Sequence, residues 1–89
     1  MTICFKLSAN LIPMVTKYYE KYTPMKTPLY AVFQVKNYDT TITLYESGKI
    51  MFQGISADIE ASLWIEQERI KNNRYIDASG KEKTKSKAV

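Results

Sequence analysis

The chain has 89 residues, 45% of them hydrophobic, with 13 Lys/Arg, 9 Asp/Glu and a net charge of +4. That is enough for one small domain with a modest core and thin stability. It holds no histidine and one cysteine, Cys4, which excludes an internal disulfide, a thiolate metal cluster and the commonest general base. No apolar run approaches 20 residues, and "MTICFKLSAN" lacks a charged n-region. The expectation is neither a membrane span nor a signal peptide, but a protein of a reducing cytoplasm. The charge is uneven. Residues 1–77 carry nine Lys/Arg and eight Asp/Glu, a net of +1, while residues 78–89 carry four Lys and one Glu, a net of +3. Whole-chain charge is therefore weak evidence for a nucleic-acid partner.

The first element is "TICFKLS", where Ile3, Phe5 and Leu7 alternate with Thr2, Cys4 and Lys6. Period-two alternation is the mark of a half-buried strand. Ser8 and Asn10 offer N-caps, and Pro13 is tolerable in a first helical turn. Leu11, Met14, Val15, Tyr18 and Tyr22 then recur at helical spacing, which predicts an amphipathic helix to about Tyr22 with Tyr19 at its surface. "TPMKTP" reads as a stiff connector.

"LYAVFQVKNY" is the second predicted strand, with Ala31, Phe33 and Val35 on the core side. "TTITLYE" is the third, with Ile42 and Leu44 inward. "ESGK" is a hairpin turn that needs a positive φ at Gly48. "KIMFQG" is the fourth strand. Ser56 is placed to cap a second helix running to about Lys71, with Asp58 in its first turn. "DASGKEKTKSKAV" has no apolar period and reads as a disordered tail or linker. The division is thus a folded unit over residues 1–77 and a Lys-rich segment over 78–89.

The order is β-α-β-β-β-α. Each strand has one strongly apolar set, so an α+β fold follows: an antiparallel sheet, both helices on one face and the other face open. The strand positions aimed away from the core are Thr2, Cys4, Lys6, Tyr30, Val32, Gln34, Lys36, Thr41, Thr43, Tyr45, Lys49, Met51 and Gln53. They include three lysines and no acid. Such a face suits shallow contact with a minor groove, which exposes sugars and hydrogen-bond acceptors. Thr, Tyr and Val are also good strand formers, so a plain solvent face, a protein contact and a nucleic-acid contact all remain open on pattern alone.

The stretch "PLYAVFQVKNYDTTITLYESGKIMFQGISADIEAS" resembles one repeat of the TATA-box-binding protein. It is still more similar to the N-terminal domain of bacterial ribonuclease HIII, through Ser47, Gly48, Lys49, Ile50, Met51, Phe52, Gln53, Gly54, Ala57, Ala61 and Trp64. The resemblance implies a TATA-binding-protein-like fold and a domain that holds an RNA/DNA hybrid on its open sheet face. Carried over position by position, it implies contacts from Thr41, Thr43 and Tyr45, from Lys49, Met51 and Gln53 across the hairpin, and from Val32 and Gln34. Tyr30 joins them as a candidate for stacking. The TATA-binding saddle uses two repeats and this chain carries one.

The same resemblance implies that catalysis lies elsewhere. Ribonuclease HIII cleaves with clustered carboxylates that hold a divalent metal such as Mg, on a separate and larger domain. No cofactor is expected in this chain, which reads as a catalytically inert binding module. Asp58, Glu60, Glu66 and Glu68 are expected as solvated helical acids. The second helix also carries two apolar stripes. Ala57, Ala61, Trp64 and Ile65 should meet the sheet, while Ile59, Leu63 and Ile70 face roughly the opposite way. That outer stripe, or the sheet face, is the alternative: a protein-interaction or dimerisation surface. The expected partners are an RNA/DNA hybrid or duplex and a covalently linked catalytic domain, with the chain a monomer or weak dimer and no membrane involved.

Overall fold

A computed structural model describes residues 1–83. Its main sheet has five antiparallel strands in the order β1-β5-β4-β3-β2. They are β1 (Thr2–Lys6), β2 (Thr23–Pro24), β3 (Ala31–Asn37), β4 (Thr40–Tyr45) and β5 (Lys49–Gly54). Helices α1 (Ile12–Tyr19) and α2 (Ala57–Asn72) cover one face. The α+β fold with an open sheet face is therefore as the alternation implied. Among the described residues, no helix is long and apolar enough to cross a membrane.

The core is built from the inward sets. Ile3, Phe5, Ile42, Leu44, Ile50 and Phe52 meet Ala57, Ala61 and Trp64 of α2 and Leu11 and Val15 at the first helix. Each large apolar side chain buried this way contributes about 1.5–3 kcal/mol. Gly54 closes β5 because nothing larger fits. Its φ is +138°, and a Cβ there would stand 2.0 Å from the Asp39 carbonyl oxygen. That close approach lets Thr40 Oγ1 accept the Ser56 N–H at 3.2 Å, which aims the chain into α2.

Several local expectations are corrected. Neither Ser8 nor Asn10 caps α1, which enters through a 3-10 turn over Ala9–Leu11. The Ser8 hydroxyl instead donates to Glu68, and Asn10 bonds Asn72. Ser56 makes no side-chain cap bond. "TPMKTP" is not only a connector, since Thr23 and Pro24 form an edge strand against Lys36 and Val35. An edge is where proline is tolerated in a sheet.

Tyr19, expected at the surface, is 1% exposed. The buried row of the first helix is Leu11, Val15 and Tyr19, spaced by four. Tyr18 and Tyr22 pack half-buried beside it. Glu60 and Glu68, expected as solvated, are buried. Glu60 accepts from the Tyr19 hydroxyl at 2.8 Å and from Asn37. Glu68 accepts from Ser8 N and Oγ, both at 2.7 Å, and from Asn72, and pairs with Arg74 at 3.0 Å. Buried acids persist where every lone pair is matched in this way.

The expected tail boundary also moves. Tyr75–Ile76 (β6) pairs with Glu82–Lys83 (β7), so residues 78–83 belong to a hairpin. Ile76 enters the core. Arg74 ties the hairpin down through Glu82, Ser8 Oγ and the Lys6 carbonyl. The rest of the expected Lys-rich segment, 84–89, lies outside the described residues. The hairpin packs by the Ile65 side of α2 and leaves Ile59, Leu63 and Ile70 exposed.

Candidate nucleic-acid interface

The open face is ordered by register. Thr2, Gln53, Thr41, Lys36 and Thr23 form one row across the sheet. Cys4, Met51, Thr43 and Gln34 form the next. Lys6 stands opposite Lys49 at the far end, beyond the Tyr45 end of β4. Lysines thus mark opposite ends of the face, while its middle is Thr, Gln, Met and aromatic. The strand positions on it carry no acid. Like charges placed directly opposite destabilise a sheet unless something answers them; Glu46 and Glu82 line the same cleft as Lys6.

Every sequence-assigned residue reaches this face, but not equally. Tyr30 is 69% and Val32 50% exposed. Lys49 and Gln53 are exposed, and Gln34, Thr41, Tyr45 and Met51 are half-buried. Thr43 departs from expectation. It lies on the open side by register, yet it is fully buried. Its hydroxyl accepts the Gln34 side-chain N–H at 2.9 Å. Thr43 therefore orients Gln34 and does not touch a ligand itself.

Two features of the face escaped pattern reading. Met25 is 39% exposed, its N–H bonds the Gln34 carbonyl, and its sulfur accepts from Thr41 Oγ1 at 4.0 Å. A proline-flanked segment that is necessarily extended was the only signal for it. Ser47, from the hairpin turn, lines a shallow depression of about 390 Å³ together with the face residues Cys4, Tyr30, Tyr45, Lys49 and Met51.

None of the acids lies on a strand of the main sheet. Glu46 and Asp39 sit on the two hairpin turns. The Thr40 hydroxyl donates to Asp39, and that bond holds its carboxyl below the usual aspartate range. Among the described residues, no three His, Cys, Asp or Glu side chains converge on one point. Glu60 and Glu68 are spent on their buried partners, and Glu66 pairs with Arg69. This donor set does not fit a divalent-metal centre.

Comparison with known proteins gives the family of the chain. Residues 2–75 match the family described as Domain of unknown function (DUF3378). Ribonuclease HIII of Enterococcus faecalis is 44% identical over 59 residues, spanning 66% of this chain and 19% of that protein. Ribonuclease HIII of Lysinibacillus sphaericus is 36% identical over 80 residues, spanning 88% of this chain and 26% of that protein. Among solved structures, Bst-RNase HIII in complex with Mn2+ superposes with a TM-score of 0.66 and 35% identity, over 73% of this chain and 21% of that one. The chain thus spans about a fifth to a quarter of the relatives it matches. It belongs to the DUF3378 family and is homologous to the N-terminal region of ribonuclease HIII.

Proposed function

We propose that this chain is a non-catalytic substrate-holding domain of a ribonuclease HIII, and that its helix-free sheet face binds an RNA/DNA hybrid from the minor-groove side. One observation carries the reading: five strands expose a broad face with lysines at its ends and no acid among its strand positions. Relatives named ribonuclease HIII support it.

The chemistry follows from position. Lys6, Lys36 and Lys49 meet phosphates. Each phosphate neutralised adds roughly 0.9 to the slope of log K against log salt. Gln34, Gln53 and Thr41 donate to the acceptors that a minor groove presents with little sequence information. Val32, Tyr45 and Met51 lie flat against sugars. Thr43 acts through Gln34. Cleavage, and the divalent metal it uses, belongs to the larger remainder of the parent enzyme.

A second reading rests on a separate feature. Ile59, Leu63 and Ile70 are 64%, 42% and 57% exposed on the outer side of α2. Exposed apolar stripes of this kind serve protein contacts. The helices lie on the opposite face, so the stripe does not compete with the sheet.

An NMR titration of the 89-residue chain with a short RNA/DNA hybrid at low salt tests the proposal. Shifts should centre on Val32, Gln34, Thr41, Tyr45, Lys49, Met51 and Gln53, and affinity should fall steeply with salt. Shifts confined to the α2 outer stripe would favour the protein-contact reading, and shifts confined to 84–89 would reduce binding to loose lysine attraction.

A further inference from the structure

The backbone is strained beside the depression on the open face. Pro28, Leu29, Tyr30 and Ala31 form a turn closed by the Ala31 N–H to the Pro28 carbonyl at 3.1 Å. Its third residue, Tyr30, has φ +66°. That position of a turn calls for glycine or asparagine, and a bulky side chain there is a genuine outlier. Such residues cost on the order of 1–3 kcal/mol and persist where the surroundings hold them. Two features hold this one. The Tyr30 carbonyl accepts the Glu46 N–H at 2.8 Å. The register then slips between Ala31 and Phe33, a bulge that re-aims side chains.

The result is that Tyr30 and Tyr45 line the same depression, with Met51 and Cys4 also lining it and Lys49 at its rim. The lining is mainly apolar and aromatic, and it carries one cation and no acid. Its size, about 390 Å³, is ample for a single flat ring. A continuous stacked duplex lying along the sheet does not send a base into such a hollow. An unpaired nucleotide does. Its ring stacks on aromatic side chains, and its phosphate meets Lys49.

Resting on the proposed nucleic-acid function, we infer that this depression is a subsite for one unstacked nucleobase, taken from a dangling, bulged or flap nucleotide next to the hybrid. Tyr30 and Tyr45 supply the stacking surface and Lys49 the phosphate contact. The domain therefore favours a hybrid at its junction or end over uninterrupted hybrid.

The test compares three hybrids of equal paired length by fluorescence anisotropy at fixed salt. One is blunt, one carries a single unpaired 3′ or 5′ nucleotide, and one carries the same nucleotide without its base. The full chain should bind the dangling hybrid at least about fivefold tighter than the blunt one, the lower end of aromatic–base stacking. The abasic form should lose that gain. In Tyr30→Gly, which relieves the backbone strain and removes the ring, the dangling-to-blunt ratio should fall to one. In Tyr38→Ala, which removes a tyrosine 92% exposed outside the depression, the ratio should stay as in the unaltered chain. Equal affinity for dangling and blunt hybrids overturns the subsite and leaves the sheet-face function standing. A gain that survives loss of the base, or survives Tyr30→Gly, also overturns it. Failure of all three hybrids to bind overturns both readings together.

Discussion

The indole N–H of Trp64 donates to the Tyr19 hydroxyl oxygen at 2.9 Å, and that hydroxyl donates in turn to Glu60 at 2.8 Å. One phenol thus joins α1 to α2 and matches a buried carboxylate to a buried indole. Asn37 on β3 closes the set from the sheet. Tyr19 is the hinge of this network, since removing its oxygen strands two partners at once.

Tyr19→Phe should therefore cost about 2–4 kcal/mol in urea unfolding, because each buried polar group left unmatched costs about 1–3 kcal/mol. Tyr18→Phe, at a half-buried position whose hydroxyl is 3.5 Å from that of Tyr22, should cost under about 1 kcal/mol. Equal costs would show that the buried network does not discriminate between the two.

The same network sets an alkaline limit. Burial, first of all, and the Glu60 carboxylate push the Tyr19 hydroxyl above its ordinary value of 10.0, against the Trp64 N–H, which lowers it. The native state therefore keeps a proton that the unfolded state releases. The contribution is complete below about pH 10 and is lost as pH rises beyond it. Unfolding midpoints followed from pH 9 to 11 should fall, and the fall should be shallower in Tyr19→Phe.

Arg74→Ala should be among the most damaging single changes. It leaves Glu68, 0% exposed, without its cation and releases Glu82 of the hairpin. Breaking a buried pair from one side costs about 3–5 kcal/mol. Arg74→Lys should recover little, because one ammonium cannot span Glu68, Glu82, Ser8 and the Lys6 carbonyl together. Faster amide exchange over residues 75–83 would report the released hairpin.

Gly54→Ala tests the β5–α2 junction. The added methyl would meet the Asp39 carbonyl at 2.0 Å with φ at +138°. The expected loss is at least about 3 kcal/mol, or no stable fold at all. A variant that melts like the unaltered chain would mean that this junction relaxes freely.

Lys49→Ala should reduce the salt slope of hybrid binding by about 0.7–0.9, the share of one phosphate contact, and weaken binding equally across sequences. Leu63→Asp, on the far side, should leave hybrid binding and stability within about 1 kcal/mol of the unaltered chain, because Leu63 is already 42% exposed. An unchanged slope in the first, or unfolding in the second, would contradict the two-sided arrangement.

Alternation along the chain was enough to determine four of the five strands, most of their inward set and the acid-poor face opposite, because burial in a strand repeats every two residues and is written locally; the edge strand Thr23–Pro24 and the bulge that sets Ala31 opposite Tyr45 were not legible in this way. The Gly48 turn and the Gly54 stop were legible for the same reason: each depends on backbone conformation at one place. Which polar groups go inside was not legible. Tyr19 is buried because Trp64 and Glu60, 45 and 41 residues away, satisfy its hydroxyl, and Glu68 because Ser8 lies across the fold from it. Thr43 turned from a contact into a support, and Tyr30 was held at a strained φ, only once neighbouring strands were in register. Those outcomes depend on partners brought together by folding, and a pattern along the chain carries no record of them.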